Sequence, residues 1–331
     1  MKKLIIFVVS ATLAVFILFQ FLEGESEDRE TSVQRIKRTE EGLKGIGRVM
    51  KEEGSNEEAS ENEEPEREIS GNVPTGESVQ AEKPSAEEGL RLLEEGDLAG
   101  AIRILENLAD GDVRPAVRKA LGYAYLGDGQ IGKAGALFSA ALEKEPENSE
   151  WNFGLAMVKR LEKDYTAAAT LLQKTIQLDP GDTQAKYELA DLYTFDMKTN
   201  PEEAAALFAE KLEKEPGNPD AENGLAAAYL NQGKSDEAVA IWDKMVEAEP
   251  ENSIFWSNLC EARLAGGDVA GGKSGCQKAI ETDPSNSEAY YLMAKTSIEA
   301  GDSGEAQKLI GQALSIEPEN TSYQQLAETL H

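Results

Sequence analysis

Prolines at a nearly constant spacing constrain this chain more than any other feature of its sequence. They stand at Pro146, Pro180, Pro216, Pro250, Pro284 and Pro318, separated by 34, 36, 34, 34 and 34 residues. Each closes a similar phrase, such as ALEKEP at 141–146 or AIETDP at 279–284. Because proline cannot continue a helix interior, each phrase predicts a helix end and the start of a new unit. The sequence therefore predicts a chain of repeated modules.

A second break divides most of these modules into two helices of about 13 residues. It falls at Gly129, Lys163-Asp164, Gly233, Gly267-Asp268 and Gly301-Asp302. The first helix carries a large residue followed by a small one, as in Leu121-Gly122, and the second carries a small and then a bulky one, as in Ala134 and Phe138. Small residues let helix backbones approach and bulky ones fill the groove between them. Stacked helical hairpins are the expected result.

These residues resemble the tetratricopeptide repeat, a 34-residue helix–turn–helix unit. The second module matches every position of the family pattern that we compared, namely Leu121, Gly122, Tyr125, Ala134, Phe138, Ala141 and Pro146. The resemblance implies an all-α, right-handed superhelical solenoid of seven repeats over residues 84–318, closed by a capping helix over 319–331. In the first module, Glu88 and Val113 stand where Leu and Pro are expected.

The fourth module is two residues longer than the others. We expect the extra residues in the turn between its helices, around Thr194–Asn200. Pro201 can then open the second helix, because proline is well tolerated at the first helical position.

The chain begins with a long apolar stretch. Residues 4–22 contain no charge, Pro or Gly, and at 1.5 Å per residue they reach about 28 Å, close to the thickness of bilayer hydrocarbon. We expect residues 1–22 to form an uncleaved signal-anchor transmembrane helix, with a cleaved signal peptide as the alternative. Basic residues on both sides compete over orientation, but the very short segment before the span favours export of the rest.

Two segments of different composition connect the span to the repeats. The juxtamembrane segment 23–51 has apolar residues at approximately helical spacing with basic residues between them: Val33, Ile36, Leu43, Ile46 and Met50. It is either a marginal solvated helix or an amphipathic helix for the membrane surface or a partner. Residues 52–83 are rich in Glu, with Gly, Pro and Ser, and should form a disordered tether because they bury too little apolar surface.

The composition excludes several classes of function. A net charge of −29 repels phosphate backbones, so we expect no nucleic-acid partner. The single histidine, His331, leaves little room for imidazole catalysis, and two cysteines cannot form a four-thiolate metal site. Gly266-Gly267-Asp268 lacks the Lys-Ser/Thr of a phosphate loop. We therefore expect no enzyme, cofactor, metal or small-molecule substrate.

In the tetratricopeptide family, positions on the first helices face the ligand. The resemblance places a peptide-binding groove at Lys119, Tyr123, Phe153, Met157, Arg160, Tyr187, Asp191, Phe195, Asn223, Leu230, Asn231, Ser257, Glu261, Tyr291 and Lys295. Exposed Phe153, Tyr187, Phe195 and Tyr291 would suit an amphipathic helix or an extended peptide. The alternative is that each aromatic side chain is a partly buried filler between units.

Some family members hold a peptide carboxylate with a Lys/Asn/Arg clamp, and this sequence departs from that pattern. Lys119 is followed four residues later by Tyr123 in place of Asn, and Asp191 and Glu261 add repulsive charge. The departure puts recognition of cytosolic chaperone tails in doubt.

Cys260 and Cys276 lie on the two helices of one module. We favour two buried thiols, because the antiparallel register should place these positions near the distance limit for a bridge. A disulfide in an oxidising compartment is the alternative.

These observations predict a membrane-anchored interaction protein. The repeats would lie in the bacterial periplasm on the inner membrane and hold a protein or peptide client during cell-envelope assembly. Cytochrome c maturation, secretion and pilus biogenesis are the processes that the family analogy suggests. The alternative is a cytoplasm-facing adaptor that recruits an enzyme or regulator to the membrane.

Overall fold

The structure is a computed structural model that describes residues 85–109 and 115–330. In these residues it contains fifteen α-helices, one π-helical turn and no strand. The predicted all-α solenoid of tetratricopeptide-like hairpins is confirmed. The described residues fall into two compact units, 85–178 and 179–330.

The N-terminal unit consists of three helical hairpins. Its helices are α1 (Ala86–Glu94), α2 (Leu98–Ala109), α3 (Pro115–Gly127), α4 (Ile131–Lys144), α5 (Ser149–Leu161) and α6 (Tyr165–Leu178). The two helices of each hairpin contact each other, and the second helix contacts the first helix of the next hairpin. Each hairpin therefore packs on its sequence neighbour, as expected for a repeat protein.

The C-terminal unit continues the same pattern through four hairpins and a last single helix. Its helices are α7 (Thr183–Asp191), α8 (Pro201–Lys214), α9 (Pro219–Asn231), α10 (Ser235–Ala248), α11 (Ser253–Ala265), α12 (Val269–Thr282), α13 (Ser287–Glu299), α14 (Ser303–Ile316) and α15 (Thr321–Glu328). A π-helical turn, Leu192–Asp196, extends α7. The side chain of Tyr323 on α15 is 1% exposed, so this helix covers the last hairpin.

Side chains just after the repeat prolines start the first helices. Six residues, each two positions after a repeat proline, accept hydrogen bonds from backbone N–H groups of the helix they precede: Asn148, Asp182, Asn218, Asn252, Asn286 and Asn320. Such N-caps satisfy donors that a helix leaves unpaired at its start. The proline period was predicted from the sequence, whereas these caps were not.

The turn inside each hairpin requires a left-handed backbone at one position. Gly129, Gly233, Gly267 and Gly301 have φ between 73° and 84°, and Lys163 occupies the same position with φ 60°. Glycine adopts this conformation without the steric penalty that a Cβ brings. The predicted breaks between the two helices of these modules are confirmed.

The extra length of the fourth module lies where the sequence indicated. The π-helical turn and the residues after it connect α7 to α8, whose first residue is Pro201. Lys198 and Asn200 both have left-handed backbones, with φ of 49° and 48°. The π-helical turn therefore accommodates part of the insertion without breaking the solenoid.

The Phe138 ring packs between glycines of two successive first helices in the N-terminal unit. Phe138 on α4 is fully buried, and a Cβ added to either Gly122 or Gly154 would lie 2.4 Å from its ring atoms. The small residue of each first helix therefore makes room for the bulky residue of the second helix, as the sequence pattern predicted.

The expected anchor, juxtamembrane segment and tether, residues 1–83, lie outside the described residues. Among the helices that are described, none combines the length and the apolar character that crossing a bilayer requires.

Candidate peptide-binding surface

In the N-terminal unit, three of the five predicted groove residues are buried. Lys119 is 6% exposed and forms an ion pair with Glu150 at the start of α5. The Tyr123 ring packs edge-on against Phe138, with ring centroids 5.5 Å apart, and Phe153 is 9% exposed. These side chains connect α3, α4 and α5. Because its ammonium group is bonded to Glu150, Lys119 does not present a free charge for a carboxylate clamp.

Met157 and Arg160, also on α5, remain half-buried. They are the members of the predicted set in the N-terminal unit that stay partly accessible.

Two of the predicted groove residues on α7 of the C-terminal unit are also buried. Tyr187 is 7% exposed, its ring lies 5.7 Å from that of Phe208, and Lys211 Nζ lies 4.3 Å from the Tyr187 ring centroid. Asp191 is 3% exposed. The expectation of exposed aromatic rings is therefore wrong for Tyr187 and Phe153: Tyr187 packs against Phe208, and Phe153 is buried.

Asn223 and Ser257 act as buried polar links between helices. Asn223 Oδ1 accepts hydrogen bonds of 2.9 Å from Trp242 Nε1 on α10 and from Asn258 Nδ2 on α11. Ser257 Oγ accepts a 3.2 Å hydrogen bond from Asn286 Nδ2, in the next repeat. Buried polar atoms need such partners, so both residues are satisfied within the fold.

The other predicted residues of the C-terminal unit form what we call the first-helix patch: Phe195, Leu230, Asn231, Glu261, Tyr291 and Lys295. Phe195, Leu230 and Tyr291 are half-buried, and the other three are exposed. Asn231 Nδ2 donates a 3.0 Å hydrogen bond to the backbone oxygen of Thr194, which attaches α9 to the π-helical turn. The patch thus combines partly accessible apolar side chains with charged and amide groups.

Tyr291 lies in the part of the patch with the most charge around it. Its ring packs 5.0 Å from the Tyr323 ring, and Lys295 Nζ lies 5.4 Å from its centroid. Burial raises the pKa of the Tyr291 hydroxyl above its ordinary value, and the charges of Glu288 and Glu261 raise it further. The charge of Lys198, which follows the π-helical turn, acts in the opposite direction. Charged groups of three different hairpins therefore act on this hydroxyl.

The acidity of the repeats is concentrated in the C-terminal unit. Residues 179–331 contain 29 Asp and Glu against 11 Lys and Arg, whereas residues 84–178 contain 15 against 11. The first-helix patch therefore belongs to a strongly acidic surface, which favours cationic partners.

The cysteine pair departs from our expectation. Cys260 and Cys276 form a disulfide between α11 and α12 with a Cα–Cα distance of 5.2 Å, so the favoured prediction of two thiols is wrong. Glycine explains the short distance: a Cβ at Gly275 would lie 3.3 Å from the backbone of Cys260, and one at Gly272 would lie 2.6 Å from Leu264. Without those side chains the helices approach closely enough for a bridge.

The described residues contain no group of three or more His, Cys, Asp or Glu side chains placed to hold a metal ion.

Comparisons with known proteins agree with this geometry. Residues 198–261 and 263–330 match one family model described as tetratricopeptide repeat, and residues 119–183 match a second with the same description. The two models together cover more than half of the chain. No curated protein sequence matches significantly.

Solved structures with a similar fold have low sequence identity. A tetratricopeptide repeat protein from Parabacteroides merdae has a TM-score of 0.58 and 18% identity, covering 74% of this chain and 96% of its own. The APC/C hetero-tetramer Cut9–Hcn1 has a TM-score of 0.55 and 15% identity, covering 74% of this chain and 48% of the matched one. PilW, a type IV pilus biogenesis factor, has a TM-score of 0.52 and 17% identity, covering 63% of this chain and 96% of its own.

The repeat period, the stacked hairpins and the family models all lead to one assignment. The chain belongs to the tetratricopeptide repeat family.

Proposed function

We propose that this protein is a membrane-tethered adaptor that binds a protein or peptide client through the first-helix patch during cell-envelope assembly. The observation that carries the proposal is the patch itself, where Phe195, Leu230 and Tyr291 stay partly accessible beside exposed Asn231, Glu261 and Lys295. Partly exposed apolar side chains bordered by polar groups are typical of peptide-binding surfaces. Tetratricopeptide repeats typically act as interaction scaffolds, which agrees with a role in binding.

Burial removes several of the predicted groove residues from the candidate binding site. Lys119, Tyr123, Phe153, Tyr187 and Asp191 are buried, so they are not available to a client. Most of the predicted groove residues that remain accessible lie in the C-terminal unit, with Met157 and Arg160 in the N-terminal unit. The hydrogen-bonded Asn223 and Ser257 hold the helices beneath them in register.

The Cys260–Cys276 disulfide supports export of the repeats to the periplasm. Structural disulfides persist in oxidising compartments and are rare in the bacterial cytosol. The apolar stretch 4–22 supplies the proposed inner-membrane anchor. An anchored, exported repeat protein is compatible with a role in envelope assembly, and PilW, which has a similar fold, is a type IV pilus biogenesis factor.

Photocrosslinking in cells tests the proposal. p-Benzoylphenylalanine is placed at Phe195 or Tyr291, and at Val269 as a control, because Val269 is 44% exposed at the start of a second helix. The two patch positions should trap the same polypeptide, and Val269 should not. Phe195→Ala together with Tyr291→Ala should lower recovery of that polypeptide in a pull-down. Equal trapping from Val269, or unchanged recovery with the double variant, contradicts the proposal.

A reporter fused after His331 tests the compartment. Alkaline phosphatase, which needs disulfides to fold, should be active in this fusion, and a reporter that works only in the cytoplasm should be inactive. The opposite pattern supports the cytoplasm-facing adaptor.

A further inference from the structure

We propose that residues 32–51 of this chain dock on its own first-helix patch and compete there with the client. The inference rests on the proposed function, because it concerns the same patch. It adds an internal ligand that would regulate access to that patch.

Residues 32–51 and the C-terminal unit carry charge of opposite sign. Residues 32–51 contain six Lys and Arg against two Glu, in a protein whose net charge is −29. The C-terminal unit has the opposite character, with 29 acidic against 11 basic residues over 179–331. Glu261 belongs to the patch, and Glu288 accepts a hydrogen bond from Tyr323, whose ring lies 5.0 Å from that of Tyr291. Negative charge therefore lies beside the apolar part of the patch. Such complementarity favours encounter and fixes orientation.

Both the basic segment and the patch carry apolar side chains. Val33, Ile36, Leu43, Ile46 and Met50 recur at spacings of 3, 7, 3 and 4, which would bring them to one face of a helix. Phe195, Leu230 and Tyr291 offer partly accessible apolar surface on the repeats. An amphipathic helix laid in an apolar groove uses this spacing of anchors.

The basic segment and the patch belong to the same chain. Residues 52–84 separate the segment from the first described residue, Ser85. Because the two partners are joined covalently, occupancy of the patch is set by an effective concentration and does not depend on the concentration of the protein. A separate client must displace the segment, and its apparent affinity falls by the fraction of repeats that are unoccupied.

An anionic bilayer is the competing partner for a basic amphipathic segment. The repeats are favoured here because they bring opposite charge and accessible apolar side chains together on the same chain. The membrane is therefore included as an outcome of the experiment.

The test uses the full chain in nanodiscs of neutral lipid and, in parallel, of lipid containing a third phosphatidylglycerol. p-Benzoylphenylalanine replaces Phe195 or Tyr291, and after irradiation the linked peptides are identified by mass spectrometry. We expect links to residues 32–51 in both lipids, and Val269 as the photoprobe position should give none. Mixed isotope-labelled and unlabelled chains show whether each link lies within one copy.

Charge reversal provides the matched control. Combining Arg35→Glu, Lys37→Glu and Arg38→Glu should reduce the link by about fivefold, because several ion pairs are replaced by repulsion. Arg67→Glu, outside the segment, should leave it unchanged. Adding Glu261→Lys to the triple variant should restore part of the link, a rescue that general loss of folding cannot produce.

Four results would overturn the inference: no link to residues 32–51, links only between copies, a link indifferent to charge reversal, or a link abolished by the anionic lipid. These results are distinct from failure of the proposed function. Client trapping from Phe195 or Tyr291 without any link to residues 32–51 would leave the adaptor intact and remove the internal ligand. In the supporting case, the triple variant also traps more client than the unchanged sequence.

Discussion

The ring of Phe208 lies in the space that a side chain on Gly224 would need, with its Cζ atom 2.3 Å from an ideal Cβ position. Phe208 is fully buried on α8, and Gly224 lies on α9 of the next hairpin. The contact joins two successive repeats, so the stacking of the C-terminal unit depends on the absence of a methyl group at this position.

Gly224→Ala should therefore destabilise the protein although alanine is the better helix former. The ring has to move within a packed core, which costs about 1–3 kcal/mol. Gly311→Ala is the matched control, because Gly311 lies within α14 with no atom within 4 Å of its added Cβ. Gly311→Ala should raise the free energy of unfolding by up to about 1 kcal/mol. Urea unfolding followed by circular dichroism measures both changes, and equal effects of the two variants would contradict this packing argument.

Lys163→Gly should stabilise the N-terminal unit. Lys163 has φ 60° at a turn position where other modules have glycine. A left-handed backbone costs a residue with a Cβ about 1–2 kcal/mol, and the entropy gained by the unfolded chain offsets part of that relief. We expect a net gain of about 0.5–1 kcal/mol in the free energy of unfolding.

Gly129→Ala tests the same argument in reverse, since Gly129 has φ 73° and open space around its added Cβ. This variant should have a free energy of unfolding lower by about 1 kcal/mol. A loss on Lys163→Gly would show that contacts of the lysine outweigh its backbone strain.

Tyr323→Phe should weaken the capping helix in a pH-dependent way. The Tyr323 hydroxyl donates a 3.0 Å hydrogen bond to Glu288 Oε2 and lies 3.2 Å from Ser287 Oγ. Its loss should cost about 1 kcal/mol at neutral pH. Burial, with the charge of Glu288, raises the pKa of Tyr323 far above its ordinary value of 10.

The sign of the pH effect follows from that raised pKa. The folded hydroxyl stays protonated above pH 10, whereas the unfolded one ionises, so its contribution is complete below about pH 10 and declines as the pH rises further. Urea midpoints at pH 8 and pH 11 should converge for Tyr323→Phe and the unchanged protein. A constant difference between them would contradict the burial of this hydroxyl.

Most of the fold could be predicted from the sequence because each repeat encodes it again. The period, the turn at Gly129 and the packing of Phe138 follow from local rules for proline, glycine and small residues. The position of the insertion in the fourth module was also predicted, but no residue pattern indicated that a π-helical turn would accommodate part of it.

The candidate site was harder to predict, because accessibility depends on neighbours that repeat spacing does not specify. Tyr187 holds a family ligand position, yet Phe208 and Lys211 cover it. Lys119 likewise holds a family ligand position, yet its ammonium group forms an ion pair with Glu150. The composition of the second helix and of the next repeat decides whether a first-helix side chain becomes part of the core or of the surface.

The Cys260–Cys276 disulfide should stabilise the fold. Both cysteines of the chain are bonded to each other and fully buried, and the bridge closes a loop with a sequence separation of 16 residues. Loop-closure estimates give such a bridge about 3 kcal/mol, so Cys260→Ala with Cys276→Ala should lower the free energy of unfolding by about 2–4 kcal/mol. Alkylation under denaturing conditions, before and after reduction, shows directly whether the bridge is present. Protein trapped with acid from its native compartment should gain no mass from iodoacetamide until it is reduced, and then two carbamidomethyl groups. Two thiols that react without reductant would mean that close approach at Gly275 packs the cysteines without joining them, and would remove the main support for a periplasmic location.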